Sequence, residues 1–526
     1  MKKFYTLILS VLITFANLFA QGVDLPEFVI EGVQKVSLPK IKKSSAGFIK
    51  PLGDEYFKHK FSPEDFDVKV SGSPDTTVAV PFVRGISYSG RIKTAGGINT
   101  LPAGELFAKY SNDNLLLTIS GNAKRVANYE PYSAVYKGGG KFDLEYYFNT
   151  TGKNKAFNIF GLNGAADYYD RNFWVSATPA LKRKALLGNG EFVFSRFSPN
   201  KYKFTVLVGG EYAKSLKENF IEQNLNGAIS AEYNFSPFKV LGKFSMISQT
   251  SKSREQKQTN YYSGIIKARV KMSDNFHIDF GGVLAFAGSE NFFYPVLGIS
   301  YNVSKYFILK ASVNAKTNFY THFNMMKFNP YYNSRTFENA FTREIDKIKF
   351  TAIFNYYNYF SASLSARYGA IDGFIYFDDI NNRGVFDVKT LDEVRTASIN
   401  FNADFLYSKF GYFSLKSVFS DVRLTNGNVA PYSPGIKIKA AYNFNYLQKF
   451  SLAFGTDYFS HYYADIRNSR RIEPGWNLWT SVKYNILSNF NLTLDVNNIL
   501  NKNNYFLPGY KSVPFDLLLG AEYFWK

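Results

Sequence analysis

The sequence predicts an all-β protein: a transmembrane antiparallel β-barrel of about 22 strands, within roughly 20–24. Three observations predict it. Phe (53) and Tyr (39) are abundant, yet mean hydropathy is only −0.20. Lipid-facing and lumen-facing side chains that alternate cancel in any running average, whereas a helical membrane protein shows apolar runs of about 20 residues. Strict alternation of apolar and polar residues then recurs from about residue 80 to the end, the period of a strand with two unlike faces. Finally, very short connections alternate with longer ones, as when one rim carries tight turns and the other carries loops.

Taken in order, the chain opens with Met1-Lys2-Lys3 and an apolar stretch from Phe4 to Phe19. Ala20 before Gln21 offers a cleavage point, so residues 1–20 read as a secretory signal peptide. The formal charge of +20 becomes +18 without Lys2 and Lys3. The positive residues are scattered through alternating segments, which argues against a nucleic-acid patch. The chain has no cysteine, which excludes disulfides and thiolate metal sites. Residues 21–80 contain "SLPKIKKSS" and "FSPEDF" and show little periodicity; they read as an extended periplasmic arm without a plug domain.

Residues 81–526 read as the barrel. In Lys141–Asn149, Phe142, Leu144, Tyr146 and Phe148 share one face against Lys141, Asp143 and Glu145. Leu225–Phe235, Ala397–Tyr407 and Ile436–Tyr446 repeat the pattern. Segments of about 10 residues cross a bilayer when tilted. Tight turns are expected at Asn112-Asp113, Ser236-Pro237, Ser273-Asp274 and Ser488-Asn489, and long connections at Asp167–Leu187, Thr317–Ile345, Ile371–Glu393, Ala464–Pro474 and Ile499–Val513. Hydrocarbon tolerates no open sheet edge, so a first strand near Phe82–Lys93 should pair with the last.

That last strand places Phe515, Leu517, Leu519, Ala521, Tyr523 and Trp525 on one face. Gly520, Tyr523 and Trp525 resemble the C-terminal signal by which the barrel-assembly machinery recognises its substrates, although Leu518 and the trailing Lys526 depart from it. The stretch "NLTLDVNNILNKNNYFLPGY", with Asn497, Asn498, Ile499, Leu500, Asn501, Tyr505, Pro508 and Gly509, resembles the end of TonB-dependent receptors. So does "VAPYSPGIKIKAAYNF". The resemblance covers about 95 residues in detail and the hairpin architecture beyond them. It implies an outer-membrane receptor-like barrel of a Gram-negative-type bacterium. Those receptors carry a globular plug before the first strand, and 60 residues are too few for one, so a plugless relative is expected. "DLPEFVIEGVQKV" resembles the short box such receptors present to TonB, with Glu27, Phe28, Val29 and Ile30 as the pairing segment for a periplasmic partner.

Alternation places Lys267, Arg269, Lys271, Lys310, Lys316, Lys437 and Lys439 in the lumen, since a charge on the lipid face at mid-depth costs about 2–4 kcal/mol. Two readings follow: an anion-favouring lumen, or a balanced network of ion pairs. Ser460 and His461 are neighbours and point to opposite faces, which defeats a nucleophile–base pair. The four histidines have no metal-ligand spacing. "GGGK" at Gly138–Lys141 opens a strand and not a helix, so it is no phosphate loop. No cofactor, metal or catalytic residue is expected. The functional reading is solute transport or binding; the alternative is a structural or assembly component whose arm binds a periplasmic partner. The expected contacts are outer-membrane lipid and the assembly machinery.

Overall fold

The structure, a computed structural model, describes residues 86–149, 156–198, 201–218, 220–252, 256–357, 359–379, 383–407, 411–446 and 449–525. The signal peptide, the arm and the segment Glu27–Ile30 lie outside the described residues.

Twenty-two antiparallel strands form one closed sheet. The first, Ser87–Gly97, pairs with both the second, Thr100–Ser111, and the last, Asp516–Trp525. The seam runs in unbroken register from Gly90↔Trp525 to Gly97↔Leu518. Asp516 extends it, accepting from the Asn99 backbone N–H at 2.8 Å and the Thr100 hydroxyl at 2.7 Å. The first strand therefore reaches four residues beyond Lys93, the end expected from sequence.

The outer face is apolar and uncovered by protein: Ile266 and Phe293 are 65% exposed and Leu519 63%. Side chains this apolar belong in hydrocarbon, which fixes this face as the lipid face. Both ends of the described barrel, Ser87 and Trp525, lie on the rim of tight turns, as at 112–114, where the Asn112 side-chain oxygen accepts from the N–H groups of Asn114 and Leu115. The opposite rim carries the long connections 321–339, 373–393, 460–474 and 498–515. It is uneven, because 98–99 and 288–289 there are as tight as any turn below.

Two local departures from alternation decide what lines the lumen. In Ala340–Tyr356 the register to both neighbouring strands slips by one residue at Asp346–Ile348. This bulge reverses the phase of the strand. Below it Phe350 faces lipid and Lys349 the lumen; above it Glu344 and Asp346 face the lumen. The second departure is in Phe307–Tyr320, whose pairing to Glu290–Ser304 stops at Val313. Above that point Ala315 is buried, although its phase with Leu309 predicts a lipid-facing position. Phe319 and Phe341 pack with Tyr261 and Ala285 from the inner wall of neighbouring strands. The top of this hairpin has left the wall and leans over the barrel mouth.

Candidate functional site: a loop cap across the barrel mouth

The long connections converge. One buried cluster contains Phe173 from 173–181, Met325, Tyr331 and Tyr332 from 321–339, Phe386 from 373–393 and Tyr510 from 498–515. The first of these connections follows the fifth barrel strand and 373–393 follows the fifteenth, ten strands away in a ring of 22. Loops from nearly opposite staves can share a core only by crossing the mouth.

Contacts between aromatic side chains hold the centre. The Tyr331 and Tyr510 ring centroids are 3.8 Å apart, and Trp174 meets Tyr510 edge-on at 5.2 Å. The Tyr510 hydroxyl donates to the Gly384 carbonyl at 2.7 Å. Two glycines allow the loops to close on Val175. Gly384 (φ +63°) has no room for a Cβ, which would lie 2.7 Å from the Val175 carbonyl carbon. Gly509 (φ +78°) presses on the Val175 side chain in the same way.

Arg183 is the polar anchor. Its guanidinium has no exposed surface and grips the Glu218 carboxylate bidentately, at 3.1 and 2.7 Å. It also donates to the carbonyls of Pro330 and Tyr332, each at 2.8 Å, and lies over the Phe173 and Tyr332 rings. All the requirements of a buried cation are met by groups from three connections. Burial pushes the Glu218 carboxyl up, but Arg183 outweighs it and holds the group below its usual range.

The short helix His322–Phe328 sits beside this anchor. Its first two N–H groups donate to the buried Glu222 carboxylate, at 2.9 and 2.8 Å. Unsatisfied N–H groups and the helix dipole favour a carboxylate there. Gln249 donates to the same carboxylate at 2.6 Å. The His322 Nδ1 lies 2.9 Å from the Tyr332 hydroxyl. Burial, and secondarily the charge of Arg183, pushes the His322 imidazole down to about 3, so it is neutral at ordinary pH.

None of this was legible residue by residue. Arg183 stands in the run Lys182-Arg183-Lys184, and alternation turns it inward, but nothing local announces Glu218 or the carbonyls of 330 and 332. Of the histidines, His322 is a cap residue and His277 lies on the inner phase beside Arg269. The Ser460 hydroxyl accepts from the Ile436 N–H and points to the His461 carbonyl, not its ring. Gly138–Lys141 lies within the strand Val135–Asn149.

The lysines and arginine assigned to the lumen are spread along the wall. Arg269 makes a two-point contact with Asp279, at 2.6 and 2.9 Å. Lys271 pairs with Asp274 at the tight-turn rim, Lys316 with Glu344 and Lys439 with Asp457. Lys267, Lys310 and Lys437 are half-buried on the inner phase. At the seam, Gly90 leaves the space that the Trp525 ring fills, and a Cβ on Gly520 would lie 2.6 Å from the Thr94 carbonyl oxygen. Tyr523 stacks on Trp525.

No family model and no curated protein matches this chain. Solved structures do. It is similar to the siderophore receptor PirA from Acinetobacter baumannii (TM-score 0.59, 10% identity, covering 84% of this chain and 81% of that one). The copper transporter OprC gives a TM-score of 0.62 at 11% identity, covering 84% and 80%. The FrpB iron transporter from Neisseria meningitidis gives 0.62 at 11%, covering 83% and 81%. These likenesses show the fold: the 22-strand outer-membrane barrel of TonB-dependent receptors.

Proposed function

We propose that the chain is a receptor-like outer-membrane barrel that takes up or captures a solute through a mouth gated by its aromatic cap. The observation that carries this reading is the convergence of loops from opposite staves on one buried core. A barrel serving only as a wall component needs no such construction across its mouth. The similar structures bear on it through their names, which are those of siderophore, copper and iron proteins. In this reading the signal peptide is removed near Gln21, the arm 21–80 occupies the periplasmic side, and Gly520, Tyr523 and Trp525 serve assembly. Glu27–Ile30 is where a periplasmic partner, TonB in the receptor case, would add a strand.

Planar-bilayer conductance of the purified full chain tests the reading. The cap predicts a low baseline current, and Arg183→Ala should raise the open fraction severalfold. Limited proteolysis within 321–339 reports independently whether the cap has loosened. A loosened cap with unchanged current would reject gating by these loops and favour the structural alternative. Deletion of Gln21–Ser73 should leave the barrel folded while changing conductance or abolishing partner capture; a change in neither makes the arm a tether.

A further inference from the structure

The outer wall carries an open groove at the seam. Its cavity volume is about 910 Å³, and it runs from the last strand, Asp516–Trp525, across the first three to Val135–Asn149. On its floor Ala521, Thr94, Gly104, Ala123 and Gly138 stand opposite one another on successive hydrogen-bonded strands. Leu492 closes one end of this row and Tyr168 the other. Toward the mouth Leu101 lies over Gly96, where a Cβ would meet its side chain at 2.7 Å. The floor is in phase with Ile92, Leu106 and Leu519, so the groove opens toward lipid.

The barrel's own packing does not account for this hollow. A Cβ on Gly104 would find its nearest neighbour at 3.9 Å and one on Gly138 at 3.5 Å, both ordinary contacts. An apolar recess open to the bilayer is filled by lipid tails, because lining atoms without partners forfeit dispersion contacts. Successive strands lie about 4.8 Å apart, so the row from Ala521 to Gly138 spans about 19 Å, on the scale of one extended acyl chain. One cation stands at the edge of the groove nearer the mouth. Arg125 is two residues beyond Ala123 on the same outward phase, and its guanidinium lies over the Tyr136 ring, 5.3 Å from the centroid. Among the described residues no carboxylate pairs with it: Asp170, directly across from Tyr136, is bound to Lys184 at 3.4 Å. Tyrosines on the lipid face gather at headgroup depth, and Tyr136 and Tyr168 set that level here. A guanidinium presents its N–H fork at the edge of its plane, the geometry that receives a phosphate at two points.

We propose that this groove is the site of one phosphate-bearing lipid of the outer leaflet, its acyl chain along the row from Ala521 to Gly138 and its phosphate on Arg125. The two halves of the site discriminate by different means. The recess accepts the chain of any lipid, and Arg125 selects one that carries an anion at the depth of Tyr136. Because the row crosses from Asp516–Trp525 to Ser87–Gly97, a bound chain also covers the closing pair of strands. The site draws on nothing in the lumen or the cap, so it stands whatever passes through the mouth.

Native mass spectrometry of the full chain released from detergent tests the proposal. The probes are dimyristoyl phosphatidic acid, dimyristoylglycerol with the same tails and no phosphate, and glycerol phosphate with no tail. The wild-type chain should retain one phosphatidic acid at a concentration about tenfold below that needed for dimyristoylglycerol, and glycerol phosphate should not compete. Arg125→Gln should bring phosphatidic acid to the level of dimyristoylglycerol. Ala123→Trp, which fills the recess from the lipid face, should lower retention of both lipids. Gly104→Leu takes its place should that variant lose the heat-modifiable band of a folded barrel. Phosphatidic acid held equally by the wild type and Arg125→Gln overturns the proposal, as does retention unchanged by filling the recess. Failure of the wild type to prefer phosphatidic acid overturns it too, and so does displacement by glycerol phosphate, which would leave an anion site without a lipid.

Discussion

Arg183 and His322 make opposite demands on the same buried space. Arg183 must stay charged, because Glu218 and two carbonyls are arranged around it. Truncating one partner of a buried ion pair typically costs about 3–5 kcal/mol, since the other charge is stranded. Arg183→Ala should therefore open the cap, read as faster proteolysis within 321–339, while the barrel remains intact on a detergent gel. His322 must stay neutral. With its folded value lowered to about 3 from an ordinary 6.5, the opened loop binds a proton that the closed cap refuses. Closure is thus complete above about pH 6.5 and weakens steadily as pH falls toward 3. Proteolysis of the cap should accelerate between pH 7 and pH 4.5, and His322→Phe should flatten that part of the profile. A profile unchanged by the substitution would assign the pH response to another group.

At the scale of elements, the hairpins are where sequence reasoning succeeds and where its limits have a physical cause. The alternating strand Ile436–Tyr446 pairs with both neighbours without a register shift. Alternation fails in Ala340–Tyr356, where one extra residue at the bulge moves every later side chain to the other face, and no residue type there advertises the slip. It fails again at Ala315, which keeps the outward phase but loses its lipid when the hairpin leaves the wall. The connections Thr317–Ile345 and Asp167–Leu187 prove shorter than expected because the strands continue to Tyr320 and Asn172. The cap itself was beyond local reading, since its core is assembled from segments hundreds of residues apart. Its closeness of fit can be probed at the two glycines. Gly384→Ala and Gly509→Ala each force a Cβ into Val175 at a positive φ. Both should loosen the contact of Trp174 with Tyr510 and shift tryptophan emission to longer wavelength, while a double variant adds little once the loops have parted.

For the molecule as a whole, closure depends on the pairing of its first and last described strands. The sequence foretold the partners because a membrane sheet cannot end, and Gly90 and Gly520 show how tightly the two strands meet. Gly520→Val should block the approach to Thr94, and Trp525→Asp should empty the space beside Gly90. In each case the heat-modifiable band on a detergent gel should diminish together with membrane levels. Wild-type levels of both would separate Gly520 and Trp525 from assembly. The seam is also, bond for bond, an antiparallel pair like the other twenty-one around the ring. Nothing in the finished sheet marks where the chain began. A circular permutant of the described barrel that links Trp525 to Ile86 and is cut in the turn at 112–114 should therefore refold in detergent to the same barrel. If Trp525 serves assembly as proposed, the permutant should in the cell be stranded on the way to the membrane. The finished sheet has no beginning; only the route to it does.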